Sequence, residues 1–423
     1  MLKTSSVLES ANKIKLNKKS TILGRFFKSS LLRIFKDIKI GYIELIENGE
    51  SSFIGEKKSA LKVQVNIHSN DFYILVGTAS DIGLAEAYAT GLWSSNNPVD
   101  LLRIILKNQH LLKKIDGGFV RLLQPLRKIV HQLKKNTLSG SKKNIVAHYD
   151  LSNDFFKIWL DKTMTYSAAI FNSDTLSLEE ASIEKIDRLC RKLDIKESDD
   201  IIEIGSGWGS FALHAVKKYG CHITTTTISE EQFKYVENLI NESGLSSKIT
   251  LLKLDYRDLK GKYDKLVSIE MIEAVGYEFI PEYFNICSNL LKDDGIMAIQ
   301  GITYHDKNFK DHLSSVDFIK KYIFPGSNLI SVSHLMSVIK DCTDLSIVHL
   351  EDITMHYAKT LSLWRQTFNE NLDSVKKLGY SEEFIRIWEF YFIYCEAGFK
   401  ERFIGDIQFV MAKSGRFNIN ITY

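Results

Sequence analysis

Between residues 199 and 302 two hydrophobic periods take turns along the chain. Apolar or β-branched runs of strand length fall at 201–204, 222–227, 248–254, 265–269 and 295–302, and the segments 211–219, 230–242 and 279–291 repeat apolar positions at helical spacing. Strands alternating with helices predict an α/β fold built on a doubly wound, mostly parallel sheet. Further on, the pattern predicts a helical, aromatic stretch over about 307–341, a strand at 345–353, helices at 357–377 and 382–402, and a strand at 406–412. Upstream, alternation at 40–47, 52–53, 61–67 and 72–75 predicts strands, with a short helix from Gly83 to Tyr88, so residues 21–107 read as a smaller α+β N-terminal domain. Residues 1–20 read as a basic leader, 108–143 as a basic amphipathic connector ending in Thr137 to Lys143, and 144–423 as the main domain, with 307–341 as a lid insert.

The stretch from Asp199 to Phe211 organises the main domain. Ile201, Ile202 and Ile204 form a strand suited to burial on both faces, and Gly205, Gly207 and Gly209 follow at alternate positions before a helix. Glycines allow a sharp turn, and the backbone N–H groups there can approach a ligand closely. The spacing is Gly-x-Gly-x-Gly, not the Gly-x-Gly-x-x-Gly of dinucleotide folds, and the next strand lacks a ribose-binding acid at its end. Glu203, an acid in the strand, suits a cationic amine and would repel phosphate. Together these features favour a nucleoside-type cofactor of the S-adenosylmethionine kind.

Composition narrows the class. With 44% apolar and 25% charged residues the chain is an ordinary globular one. Five scattered cysteines without ligand spacing predict a reducing cytoplasm and no structural metal. Apolar runs fall short of a membrane span. The net charge of +3 hides two basic blocks: ten Lys/Arg against two acids over residues 1–40, and eleven against one over 101–149. In the second block the charges interleave with Ile104, Leu111, Leu122 and Ile129, as on helices that lie on an anionic lipid surface. No nucleic-acid reading motif accompanies them, so nucleic acid is not expected as a partner.

An ordered set of motifs then carries a resemblance. Tyr166-Ser167, Glu203 to Gly209, Thr227 to Gln232, Asp255 to Leu259, Met271 to Gly276, Tyr322 to Gly326 and, upstream, Gly83 to Trp93 resemble the cyclopropane-fatty-acyl-phospholipid synthase family over nearly the whole chain. The resemblance implies a class I S-adenosylmethionine-dependent methyltransferase fold acting on the double bond of unsaturated phospholipid acyl chains. It also implies a homodimer, located in the cytoplasm and bound peripherally to the inner face of the membrane. Carried over by position, Tyr166, Ser167, Ile201, Ile202, Glu203, Ile204, Gly205, Ser206, Gly207, Trp208, Gly209, Thr227, Gln232, Tyr256 and Arg257 bind the cofactor. Chemistry fits three of them independently: Glu203 to the methionine amine, Gln232 to the ribose hydroxyls and Tyr256 to the adenine face.

The reaction also needs a base to take a proton from the transferred methyl, and the resemblance implies a bound bicarbonate. Of its holders, Glu273, Tyr357 and the backbone of Ile302 match, whereas the family's cysteine and histidine are Ala168 and Gln300 here. Glutamine can donate to an anion but cannot share a proton as imidazole does. Cyclopropane synthesis is the leading expectation; the alternative is an acyl-chain methyltransferase giving a methyl- or methylene-branched chain, with Glu273 or His305 as base, and a degenerate lipid-binding subunit is the third reading. Tyr166, Phe171, Tyr304, Tyr322 and Phe324 are aromatic candidates for stabilising a cation. Cys395 matches a family cysteine treated as catalytic, although the reaction needs no nucleophile. His148 and Asp150 are expected to orient the segment before Tyr166.

Overall fold

A computed structural model describes residues 20–111 and 151–416. The leader, most of the basic connector, His148 and Asp150 lie outside the described residues. These residues fall into two compact units. One takes residues 20–111 with Ser315–Pro325 and Gly379–Glu401; the other takes 151–314, Gly326–Leu378 and 402–416. The division is discontinuous in sequence, so Tyr322, Phe324 and Cys395 belong to the unit of the N-terminal elements.

That first unit carries a four-stranded sheet of β1 (Tyr42–Glu47), β2 (Glu50–Gly55), β3 (Lys62–Ile67) and β4 (Trp93–Ser95), in the order β2-β1-β3-β4. Its helices are Ser20–Phe35, Asp71–Ala89, Pro98–Lys107 and Glu382–Lys400. The strand expected at 72–75 is instead the start of the helix Asp71–Ala89, which breaks at Ser80 (φ 51°, ψ −124°). A short apolar run does not separate helix from strand by period alone, and this helix buries residues around most of its circumference. Glu382–Lys400 is fixed by Tyr88, whose hydroxyl donates to Glu389 at 2.7 Å, and by Arg386, which donates to the Tyr88 carbonyl at 3.2 Å.

The second unit is built on seven strands: β5 (Asp200–Ile204), β6 (His222–Thr226), β7 (Ile249–Leu252), β8 (Tyr263–Ile269), β9 (Leu291–Tyr304), β10 (Leu345–Asp352) and β11 (Ile404–Lys413). Their order is β10-β11-β9-β8-β5-β6-β7. Pairing is parallel from β7 through β9 and antiparallel on both sides of β11, a mostly parallel sheet as expected. Ile201 and Ile202 are fully buried in different core clusters, one on each sheet face, as successive strand residues must be. From β5 the chain winds outward through β6 and β7, then returns to β8 on the other side. Ligand crevices form where the order reverses in this way, and here it lies between the ends of β5 and β8.

Candidate active site

At that reversal a cleft opens, lined by Met164–Ser167, Glu203–Trp208, Thr226–Ile228, Gln232, Leu254–Arg257 and Ile269–Met271, with Lys185. It is concave and partly open to solvent, the form of a small-molecule site. The turn after β5 makes one wall. Gly205, Gly207 and Gly209 have φ of 95°, 50° and 87°, the left-handed region that glycine enters without strain. Beside Gly207 nothing lies within 4 Å of where a side chain would begin, so the backbone faces open space. On the opposite wall the Thr227 hydroxyl donates to Gln232 Oε1 at 2.9 Å, fixing the amide so that its NH₂ is the group left to donate.

Most sequence-expected cofactor residues line this cleft, but three do not. Ile201 and Ile202 are interior to the sheet, and Gly209 caps the helix Ser210–Tyr219 behind the turn. They shape the loop without reaching its ligand face. Tyr256 lines the cleft, yet its ring packs edge-on against Tyr283 at 5.3 Å with the Arg257 guanidinium 5.1 Å from its centroid, so packing claims much of it. Trp208 Nε1 donates to Asn153 Oδ1 at 2.8 Å, anchoring the short helix Asn153–Lys157. Glu203 is buried and accepts from Thr225 at 2.5 Å; burial, opposed by that bond and by the charge of Lys185, pushes its carboxyl up to about 8. A buried acid left without a full charge partner fits the ammonium end of S-adenosylmethionine, and the open glycine turn and the Gln232 amide fit its remainder.

At the end of β8 stands a residue that the sequence reading passed over. Glu270 reaches the cleft wall. Its Oε1 accepts from the Ala168 N–H at 2.8 Å and from Gln300 Nε2 at 2.7 Å, and its Oε2 accepts from the Tyr357 hydroxyl at 2.7 Å. Gln300 is aimed by its neighbour in register on β11: Gln408 Nε2 donates to Gln300 Oε1 at 2.9 Å, and Lys192 donates to Gln408 Oε1 at 2.7 Å. Glu273 sits behind, accepting the Ile302 N–H at 2.5 Å on one oxygen, while its other oxygen has no partner among the described residues. Asp406 adds a third carboxyl, fully buried, which accepts from Gln300 Nε2 at 3.4 Å.

Three carboxyls packed this closely cannot all be charged. Burial and the Glu270 charge push Glu273 up to about 8, and burial with both glutamates lifts Asp406 well above the carboxylate range. Burial lifts Glu270 as well, but three donors and Lys185 favour its ionised form. The negative charge of the set therefore resides on Glu270. Lys185 donates to Ser167 Oγ at 2.8 Å, and burial, against the attraction of Glu270, brings its own pKa down to about 8. The signal for Glu270 was present in the sequence: an acid directly after a buried strand, the feature that singled out Glu203. Lys185 and Asp406 carried no such signal.

Other expectations fare differently. The bicarbonate site does not fit: Ala168 N–H, Gln300 and Tyr357 are engaged by Glu270, and Ile302 N–H by Glu273. His305 is exposed and its ring accepts from the Lys307 N–H at 3.3 Å, a helix cap and not a cleft base. Of the aromatic candidates, Tyr166 lines the cleft, backed by Trp159 and Trp364. Phe171 stacks on His356, and Tyr304 stacks on His312 at 4.3 Å. Tyr322, whose hydroxyl donates to Glu86, and Phe324, against Tyr391, lie in the other unit. So does Cys395, whose thiol burial pushes far up, away from the thiolate a nucleophile requires. Among the described residues no cluster of metal ligands occurs, and no helix is long and apolar enough to cross a membrane.

A mostly parallel seven-stranded sheet with a glycine turn and a ligand cleft at its order reversal defines a class I S-adenosylmethionine-dependent methyltransferase. The chain belongs to the mycolic acid cyclopropane synthetase family, which matches residues 136–409. It is 36% identical over 352 residues, 80% of this chain and 81% of its relative, to the tuberculostearic acid methyltransferase UfaA1 of Mycobacterium tuberculosis. It is 34% identical over 269 residues, 63% of this chain and 68% of the other, to a probable fatty acid methyltransferase of Pseudomonas putida. Among solved structures, the mycolic acid cyclopropane synthase CmaA1 complexed with SAH and CTAB superposes with a TM-score of 0.60 at 30% identity, covering 64% of this chain and 98% of that one. The protein is an S-adenosylmethionine-dependent methyltransferase of a family of lipid methyltransferases and cyclopropane synthases.

Proposed function

We propose that this enzyme adds a one-carbon unit to the double bond of an unsaturated phospholipid acyl chain, and that the product is a methyl- or methylene-branched chain. The observation that carries the reading is a carboxylate set at the wall of the cofactor cleft that also holds Tyr166. Such a set supplies what alkene methylation needs after the methyl has moved, a proton acceptor beside the cofactor. S-adenosylmethionine supplies the electrophilic methyl. Tyr166, Ser167, Glu203, the 204–208 turn, Thr227, Gln232 and Tyr256 hold and orient it, and Tyr166, packed against the buried Trp159 and Trp364, offers an aromatic face to a developing cation. A branched product is supported by the two relatives above, both named as acid methyltransferases, and by the substitutions at Ala168 and Gln300.

Cyclopropane closure is the second reading, favoured by the family and by the retention of Glu273, Ile302 and Tyr357. A peripheral position on an anionic membrane is part of the proposal. It draws support from the helix Ser20–Phe35, where Ile22 (75%) and Phe26 (55%) are exposed next to the exposed Arg25. Homodimerisation rests on the resemblance. Mass spectrometry of derivatised phospholipid acyl chains, in cells lacking their own cyclopropane synthase, tests the reading. A gain of CH₂ with the double bond retained supports a branched product, the same gain with the double bond lost supports cyclopropanation, and no change in any acyl chain sinks both.

A further inference from the structure

The residue after β8 is held in a conformation it should avoid. Glu270 has φ of 48°, in the left-handed region where an L side chain costs roughly 1–2 kcal/mol relative to ordinary backbone. Glycine would sit there without strain. Strain of this kind persists only where surrounding contacts hold it, and it concentrates at functional sites. Here the reason is visible: the conformation carries a carboxylate to a point where donors from three separate segments converge, Ala168 from the loop after Tyr166, Gln300 from β9 and Tyr357 from the helix Thr354–Glu370. Gln300 has no freedom to turn away, because Gln408 and Lys192 fix its carbonyl end. The carboxylate lines the cleft next to Met271, which itself packs against Gly205 of the cofactor turn.

Resting on the reading that an acyl chain is methylated, we propose that Glu270 is the proton acceptor of the reaction, a carboxylate built into the chain where the resemblance implies a bound bicarbonate. The donors such an anion would need are already engaged, so an exogenous anion would have to displace the side chain. Over the reaction the acyl chain gains CH₃⁺ and loses H⁺, a net CH₂. The C–H bond that breaks is on the transferred methyl; its electron pair forms the new C=C of a methylene branch, or the third side of a ring. Glu270 takes the proton and returns it to solvent when product leaves. Glu273 and Asp406, kept neutral beside it, leave one charge in the set and so one acceptor.

The test uses the full-length protein, S-adenosylmethionine and vesicles of an unsaturated phospholipid, in buffer stripped of bicarbonate and then with bicarbonate restored. Wild-type turnover is expected to be the same in both. Glu270→Gln is expected to lose about 10²–10⁴-fold in turnover while S-adenosylhomocysteine binding, read by calorimetry, stays within about threefold of wild type. Infrared spectra of the ligand-free protein are expected to lose one ionised carboxylate at neutral pH in that variant. In Glu270→Gly, which relieves the strain, added bicarbonate or formate is expected to restore part of the rate. A wild type that requires bicarbonate, or a Glu270→Gln variant within about threefold of wild-type turnover, overturns the proposal. Should Glu270→Gln not fold, the wild-type response to bicarbonate decides by itself. A wild type that alkylates no acyl chain overturns the acyl reading and this proposal together; an active wild type indifferent to Glu270 overturns this proposal alone.

Discussion

The two walls of the cleft are built on opposite principles. The turn after β5 works with backbone: three left-handed glycines give it its shape, and the Thr226 and Ser206 carbonyls hold the Gly205 and Gly209 N–H groups. The end of β8 works with side chains: three carboxyls and Lys185 drawn together where the cleft meets the interior. A backbone wall loses function when its shape is altered. A side-chain wall loses function when its charge distribution is altered, even if its shape survives.

The sharpest way to break the first wall is at Gly205, where an added Cβ meets Met271 at 3.1 Å and φ is 95°. Gly205→Val is expected to weaken S-adenosylhomocysteine binding by roughly one to two orders of magnitude, since left-handed strain and overpacking each cost about 1–3 kcal/mol. Calorimetry checks it. Unchanged affinity would mean that the turn does not shape the cofactor site.

Next in size is a change that leaves shape alone. Tyr357→Phe removes one donor to Glu270 and is expected to raise its pKa further, lowering the rate several-fold on the acid side of the profile. The acid limb of the pH–rate profile should move upward. A lower rate with an unmoved limb would assign Tyr357 to packing.

Charge placement also governs stability. Glu203 and Glu273 titrate near 8 in the folded protein, above the roughly 4.3 of an unfolded glutamate. The folded state therefore holds the extra protons between those values. The stabilisation is complete below the unfolded pKa and is lost as pH rises through about 8. Tm should fall across that window, and Glu273→Gln, which has no proton to lose, should flatten the fall. A Tm rising with pH over the same range would contradict a neutral Glu273.

The smallest expected effect sharpens the comparison from the other side. At Gly207 a Cβ meets nothing within 4 Å, and φ of 50° is the left-handed region that other residues occasionally occupy. Gly207→Ala should cost about 1 kcal/mol in stability and only a few-fold in cofactor affinity. A loss as large as that of Gly205→Val would place a ligand atom against that open face.

By itself the sequence determined the parallel sheet, the cofactor turn and the family, because each is written in consecutive residues: Ile201 to Gly209 contains its own strand, turn and helix start. It also named Glu273, Tyr357, Gln300 and Ile302 as one group, through the spacing of the family's motifs. Only the tertiary structure decided which carboxylate bears the charge. Glu270, Gln300, Tyr357, Ala168, Lys185 and Asp406 come from six segments, and ionisation depends on burial and on donors within hydrogen-bond reach, neither of which has a period along the chain. The same holds for Cys395 and Tyr322, whose assignment to the other unit follows from contacts between residues far apart in sequence.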